Sequence, residues 1–373
     1  MKTKMQVQLL DLKIQYESLA KEILSAVEGV LKDANYIMGK QVEELEKKTC
    51  EYLGCKNAIA IASGTDALLL SLRAAGVGYG DEVITTTYTF FATAGAIVNV
   101  GARPVFVDII PGTFNIDPKK IEAVVTKKTK AIIPVHLFGQ SAEMDPIMAI
   151  AKKHNLKVIE DACQSIGTKY KNVYVGNIGD TGCFSFFPSK NLGCAGDGGM
   201  VSANNQEMAD KVKILRVHGG EKKYYHRIVG TNSRLDTIQA AILLVKFKYL
   251  DKWSKLRGEH GERYNSELKG VGDIVTPSKI ADSNHVYNQY TIRTKKRDAL
   301  QEFLKENGIG SAVYYPMPLH MQECFKNLGY KEGDFPEAEK AAKESVSIPV
   351  YPELTDEQQE YVIDKIKEFF TKC

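Results

Sequence analysis

Three short stretches of this chain hold residue types that could do chemistry. Ser63-Gly64-Thr65-Asp66 follows the apolar run 58–62 and precedes a good helical pattern. A small, glycine-containing turn at a helix N-terminus presents free backbone N–H groups and the positive end of the helix dipole, which suits a phosphate. Asp161 closes the segment Lys-Val-Ile-Glu-Asp at 157–161, where an apolar strand should emerge at the end of a sheet. A carboxylate there could pair with a cationic ring nitrogen and keep it protonated. Lys190 lies in Cys-Phe-Ser-Phe-Phe-Pro-Ser-Lys-Asn-Leu-Gly at 183–193, with Gly196, Gly198 and Gly199 just beyond. A lysine among apolar walls and beside a cation loses its proton readily, so it can form a Schiff base and later act as a general base. Ser185, on the same aromatic run, could offer its hydroxyl to a phosphate.

Each stretch alone has an ordinary explanation. Thr65 or Asp66 could be a plain N-cap, Asp161 a strand-end turn, and Lys190 an exposed loop lysine, the fate of most lysines. Phe184, Phe186 and Phe187 argue against exposure of Lys190. The weight lies in the conjunction: a phosphate turn, an acid and a lysine, each following a separate strand. Together they match the phosphate, ring nitrogen and aldehyde of pyridoxal phosphate.

The elements that must position them can be read from periodicity. Strand-like apolar runs fall at 58–62, 82–86, 104–108, 130–135, 157–161, 182–186 and 199–203, with helical patterns at 66–75, 89–98, 118–125 and 145–154 between several of them. Such alternation predicts an α/β fold with a mostly parallel sheet covered on both faces. In these sheets ligands bind beyond the carboxyl ends of the strands, where the three stretches fall. Residues 206–265 read as strongly helical, with one long stretch around 235–256. A strand at 285–293, a helix at 298–307 and a closing helix at 355–370 then describe a small α+β unit. The expected division is 1–250, an N-terminal arm and large cofactor-binding domain, and 251–373, a small C-terminal domain. The 373-residue length fits two domains at roughly 100–200 residues each.

Composition excludes other classes. Hydrophobic residues make 44% and charged residues 25% of the chain, as in ordinary globular proteins, and the net charge of +3 gives no basis for a nucleic-acid or membrane partner. Seven scattered cysteines without a C-x-x-C pair read as reduced thiols, and the histidines lack ligand spacing, so no metal is expected. No apolar run approaches the ~20 residues of a membrane span, and MKTKMQVQLL shows no apolar leader, so a cytoplasmic protein is expected. Gly76-Val77-Gly78-Tyr79-Gly80 follows a helix and precedes a strand, the reverse of a dinucleotide-binding loop.

The chain closely resembles the DegT/StrS group of sugar aminotransferases, within fold type I of pyridoxal-phosphate-dependent transferases. The resemblance runs from Asp11-Leu12-Lys13 and S-G-T-D-A-L at 63–68 through E-D-A-C-Q-S at 160–165 and the Lys190 loop. It continues through N-S-R-L-D at 232–236, Y-Y-P-M-P-L-H at 314–320 and I-P-V-Y-P at 348–352. It implies that Lys190 is the Schiff-base lysine, that Asp161 faces the pyridinium nitrogen and that Gln164 lies near the ring hydroxyl. Tyr88 falls where the family stacks an aromatic on the ring. Gly64, Thr65 and Ser185 would bind the phosphate, and Asn232 would complete that site from a neighbouring subunit, making the active unit a homodimer. The loop 218–230 would lie over the partner's site. Arg234, Tyr314, Tyr315 and His320 would line the site of a nucleotide-linked keto-sugar, with L-glutamate as amino donor.

Within the family, Lys190 stands where dehydrating members have histidine, which implies transamination. The loop form S-F-F-P-S-K-N-L-G…G-D-G-G resembles members acting at carbon 3 of the sugar more than those acting at carbon 4. A dTDP-3-oxo-6-deoxyhexose is the expected acceptor, because Tyr314 stands where some uronate-handling relatives have histidine. A UDP-3-oxo-uronate is the alternative. A cysteine-based desulfurase or lyase using Cys163 or Cys194, and a non-catalytic regulator sensing cofactor or nucleotide sugar, are the competing classes.

Overall fold

Short apolar strands joined by amphipathic helices build a seven-stranded sheet in the computed structural model, which describes residues 5–372. Its strands are β1 (Asn57–Ile61), β2 (Glu82–Thr86), β3 (Arg103–Val107), β4 (Thr129–Ile133), β5 (Lys157–Asp161), β6 (Thr181–Ser185) and β7 (Gly199–Ala203). All seven coincide with expected runs. Their order is β1-β7-β6-β5-β4-β2-β3, with β7 antiparallel to both neighbours and the remaining pairs parallel. The architecture is the mostly parallel α/β sheet that the alternation predicts.

Both faces of the sheet are covered, and strand alternation sorts the core in two. Ala58, Ala60, Ile84, Ile132, Val158 and Phe184 face one side. There they meet Val42 and Leu45 of α2 (Lys40–Leu53, the helix after α1, Leu12–Asp33). Ile59, Ile61, Val83, Ile133, Ile159 and Val201 face the other, against α3 (Gly64–Ala74) and α4 (Ala92–Asn99). The first side also takes α5 (Met144–His154), and the second takes α6 (Gln206–Leu215). Burial on both faces is why these strands are nearly continuous apolar runs.

The long helical pattern is two helices, α7 (Thr237–Phe247) and α8 (Leu250–Glu267). No proline or glycine marks the break at Lys248 and Tyr249. Tyr249 instead donates its hydroxyl to Glu22 of α1 (2.8 Å) and stacks on Trp253, so packing against α1 decides it. Beyond α8, β8 (Tyr290–Arg293) pairs antiparallel with β9 (Ser345–Ile348). Helices α9 (Arg297–Glu306), α10 (Pro336–Glu344) and α11 (Asp356–Lys372) complete this part. Tyr290, Ile292, Leu300, Leu304, Val346, Val362 and Ile366 form its core, which Val7 also joins.

Only the last four residues of the expected strand at 285–293 pair in a sheet. The preceding turn docks on the large sheet's loops, with Val286 N–H on Gly139 O (2.9 Å) and Gln289 N–H on Phe138 O (3.4 Å). Long-range docking replaces the strand there. Among the described residues, no helix is long and apolar enough to cross a membrane. Cys373 lies outside the described residues.

Candidate active site

The carboxyl ends of β1, β5 and β6 open on one cavity of about 470 Å³, and the three chemical stretches meet in it. Ser63, not Thr65 or Asp66, caps α3: its hydroxyl accepts from Asp66 N–H (3.1 Å). Gly64 and Thr65 therefore begin the helix, with the free N–H groups of its first turn at the cavity. A Cβ on Gly64 would lie 2.8 Å from both Ser185 Cβ and Cys163 Sγ. The glycine thus lets the α3 N-terminus press directly against β6. Ser233 donates to Asp66 Oδ2 (2.7 Å) and ties down the outer side of the same turn.

Asp161 is 6% exposed and oriented from two sides. Thr93 of α4 donates its hydroxyl to Oδ2 (2.8 Å), and Cys163 N–H donates to Oδ1 (3.2 Å). Its backbone is fixed by bonds to Pro134 and His136. Beneath the strand, Glu160 accepts from His136 Nε2 (2.9 Å) and from the amides of Gly176, Ile178 and Gly179. The imidazole's Nδ1 accepts from Ala142 N–H, which assigns its proton to Nε2. Gln164 accepts from Phe138 N–H (2.7 Å) and donates to the Tyr315 hydroxyl (3.1 Å).

Lys190 sits on a loop pinned at several points. Cys194 N–H bonds Phe186 O, Phe186 N–H bonds Gly198 O, and the buried Lys246 ammonium of α7 donates to Gly193 O (2.8 Å). Asn191 donates to Val286 O and accepts from Asn288. The lysine keeps some exposure to the cavity, yet its packed surroundings strip away enough water to push its pKa below 10.5; Cys163 and Asp161 oppose the shift. Burial and then Asp161 push the Cys163 thiol well up, and Cys194 is raised to about 11. Nucleophilic sulfur chemistry needs the thiolate, so neither cysteine is set up as a nucleophile.

The cavity wall gathers Gly64, Thr65, Asp161, Gln164, Ser185, Lys190, Tyr314 and Tyr315 from the sequence reading. It does not gather Tyr88, Asn232, Arg234 or His320. Tyr88 is wholly buried behind the wall, against Phe114, and the cavity aromatic from this stretch is Phe90. His320 is 2% exposed and both ring nitrogens are engaged, Nδ1 by the Thr87 hydroxyl (2.8 Å) and Nε2 by Glu339 (3.2 Å). Asn232 is exposed, and Arg234 leaves its buried Nε unpaired. Sequence reasoning missed Thr93, Phe90, Asn288 and Gln289. Phe90 and Thr93 follow β2 and could have been found by asking which side chains leave its carboxyl end. Asn288 and Gln289 gave no signal, because the turn carrying them is placed by docking.

A parallel sheet with a helix N-terminus, an acid and a depressed lysine around one cavity defines a pyridoxal-phosphate enzyme of the aminotransferase fold. The residues fit the group, with donors for a phosphate, an oriented carboxylate and an amine in a single chamber. The sequence profile of the DegT/DnrJ/EryC1/StrS aminotransferase family matches residues 17–367, and the chain belongs to that family. It is similar to the "pleiotropic regulatory protein" of Geobacillus stearothermophilus, with 56% identity over 98% of this chain and 99% of that protein. It is 45% identical to a UDP-N-acetyl-3-dehydro-alpha-D-glucosamine 3-aminotransferase of Acidithiobacillus ferrooxidans, over 94% of this chain and 95% of that protein. It is 44% identical to the UDP-2-acetamido-2-deoxy-3-oxo-D-glucuronate aminotransferase of Pseudomonas aeruginosa, over 93% of this chain and 96% of that protein. The crystal structure of S. venezuelae DesV in complex with a ketimine intermediate superposes with a TM-score of 0.96 at 38% identity, covering 98% of each chain. The protein is a pyridoxal-phosphate-dependent aminotransferase.

Proposed function

We propose that this enzyme moves an amino group from L-glutamate to carbon 3 of a keto-hexose carried on a nucleoside diphosphate. The observation that carries the reading is the single cavity that joins Lys190, Asp161 and the α3 N-terminus to a polar aromatic wall. Pyridoxal phosphate, when bound, supplies an aldehyde for the amino group and a ring that takes up negative charge. The α3 amides, Thr65 and Ser185 would hold its phosphate. Asp161, oriented by Thr93, would hold a protonated ring nitrogen, and Phe90 rather than Tyr88 would lie against the ring. Lys190, its pKa lowered by burial, would take up at Nζ the proton that leaves the donor's α-carbon. In the separate acceptor half-reaction it would deliver a proton from Nζ to the sugar carbon that receives the amine, the hydrogen and the amino group being stored on the bound cofactor between the two. Tyr314 and Tyr315 would bound the sugar.

Two of the relatives are named for UDP-linked 2-acetamido sugars oxidised at carbon 3. That favours UDP over the dTDP-6-deoxyhexose to which the sequence reading pointed, and supports carbon 3 over carbon 4. The acceptor we propose first is a UDP-2-acetamido-3-keto-hexose without a carboxylate, the class named for the relative at 45% identity, ahead of the uronate named for the relative at 44%. Regulation is the second reading, favoured by the name of the relative at 56% identity.

We further propose a homodimer in which Asn232 and the loop 218–230, which folds back on itself by pairing Gly220–Lys222 with Tyr225–His226, complete the partner's site. Exposed Tyr224, Tyr225 and Val229 on that loop, and Tyr36, Ile37 and Met38 after α1, support an interface. The test is a panel of 3-keto- and 4-keto-sugars on UDP and dTDP, neutral and acidic, offered to enzyme pre-treated with glutamate. Preferred turnover of the neutral UDP sugar is expected. Turnover of a 4-keto-sugar alone would overturn the carbon-3 assignment, and no turnover of any member would overturn the proposed acceptor class.

A further inference from the structure

The end of β2 does more than close a strand. Tyr88 is fully buried, so it touches no ligand, yet its hydroxyl is used three times. It donates to Tyr314 O (2.7 Å) and accepts from Tyr315 N–H (3.0 Å) and from the Ser345 hydroxyl (2.8 Å). This exhausts the donor and acceptor capacity of a phenol. Burial pushes its pKa up to about 12, so the hydroxyl keeps the proton that it donates. The neighbouring Thr87 repeats the pattern. Its carbonyl accepts from Leu319 N–H (2.7 Å), and its hydroxyl meets His320 Nδ1 (2.8 Å) and His320 N–H (3.2 Å).

These bonds join sequence positions more than two hundred residues apart. They fasten the segment 314–320 to the carboxyl end of a strand in the large sheet. The same stretch of chain continues to Phe90, whose ring faces Tyr315 at 6.2 Å between centroids. Tyr315 in turn meets Gln164. One short peptide after β2 therefore sets the spacing of two aromatic surfaces of the cavity. A sugar ring bound between them depends on that spacing. The donor's amine reacts beside Lys190 and Asp161, on the wall built from the strand ends, which the segment 314–320 does not carry.

We propose that Tyr88 is a positioning residue for acceptor recognition, holding Tyr314 and Tyr315 at the width the keto-sugar requires. This rests on the proposed function in one respect, that the acceptor lies against Tyr314 and Tyr315. Tyr88→Phe keeps the buried ring and removes only the hydroxyl. The expected result is an acceptor KM raised about tenfold or more, because three hydrogen bonds are lost and one lost neutral bond already corresponds to about three- to tenfold. Glutamate half-reaction rate and pyridoxal phosphate affinity should stay within about twofold. Ser345→Ala, which removes one of the three bonds, should shift the acceptor KM in the same direction by less and reports on the contact if Tyr88→Phe does not fold.

Hydrogen exchange of the Tyr315 amide provides a readout that needs no substrate: it should quicken in Tyr88→Phe. Unchanged exchange, or equal losses in the donor and acceptor half-reactions, would overturn the inference. A wild-type enzyme that turns over none of the keto-sugars would remove the proposed function, and the exchange comparison would still decide whether Tyr88 holds the wall.

Discussion

The cavity has two walls made in different ways. One comes from the large sheet: Ser63 to Asp66, Asp161 and the Ser185–Lys190 stretch each leave a strand end within a few residues. The other comes from residues 288–289 and 314–315, held by contacts across most of the chain's length. On the first wall a residue's place follows from its distance beyond an apolar run. On the second it follows from which distant segment docks where. The difference teaches that a motif's aromatic or histidine can belong to the frame and not to the wall. Tyr88 and His320 are such residues, buried and with their polar atoms bonded to protein.

The sheet wall should fail hardest when broken. Lys190→Ala removes both the Schiff-base amine and the proton carrier, and should lower turnover by roughly 10⁴-fold or more, together with the visible absorption of bound cofactor. Steady-state transamination and a spectrum check this, and an active variant would remove Lys190 from its role. Asp161→Ala should leave the cofactor able to bind while slowing proton transfer by roughly 10²–10³-fold, the size of one lost electrostatic contact to developing charge. Single-turnover bleaching by glutamate would measure it; an unchanged rate contradicts the assignment.

Asn232 tests a third region, which lies outside this chain's own cavity. If it serves the partner, Asn232→Ala and Lys190→Ala proteins, each nearly inactive, should regain activity when unfolded together and reassembled. Mixing without rescue would place Asn232 in its own subunit's function or in none.

The smallest effect is in pH. Because burial lowers the Lys190 pKa, the neutral amine is present below the pH at which a free lysine would supply it. Capture of pyridoxal phosphate by the apoprotein should therefore rise with pH around a midpoint under 10.5. Between that midpoint and 10.5 the unfolded chain binds more protons than the folded one, so this group's contribution makes apoprotein stability rise with pH. Rates of absorbance change in a pH series give the midpoint, and a value at the ordinary lysine pKa would show that the site does not desolvate the amine.

The legibility of the chain follows the same division. Seven strands were readable because their side chains are buried on both faces and leave continuous apolar runs. Lys190, Asp161 and Gly64 were readable because strand ends of a parallel sheet converge. The split between α7 and α8 was not, since it depends on Glu22 reaching Tyr249. Nor was the absence of a sheet ladder at 286–289, where docking on Gly139 and Phe138 replaces the first part of the strand expected at 285–293. Cysteines were ambiguous by type, and only burial beside Asp161 removed Cys163 from the catalytic set.

The central claim is that the sheet wall binds pyridoxal phosphate through Lys190 and uses it to accept an amino group. The most direct measurement is the visible spectrum of the purified protein before and after L-glutamate. A yellow band that glutamate bleaches is the predicted result. A protein that is colourless, and stays so when pyridoxal phosphate is added, would contradict it.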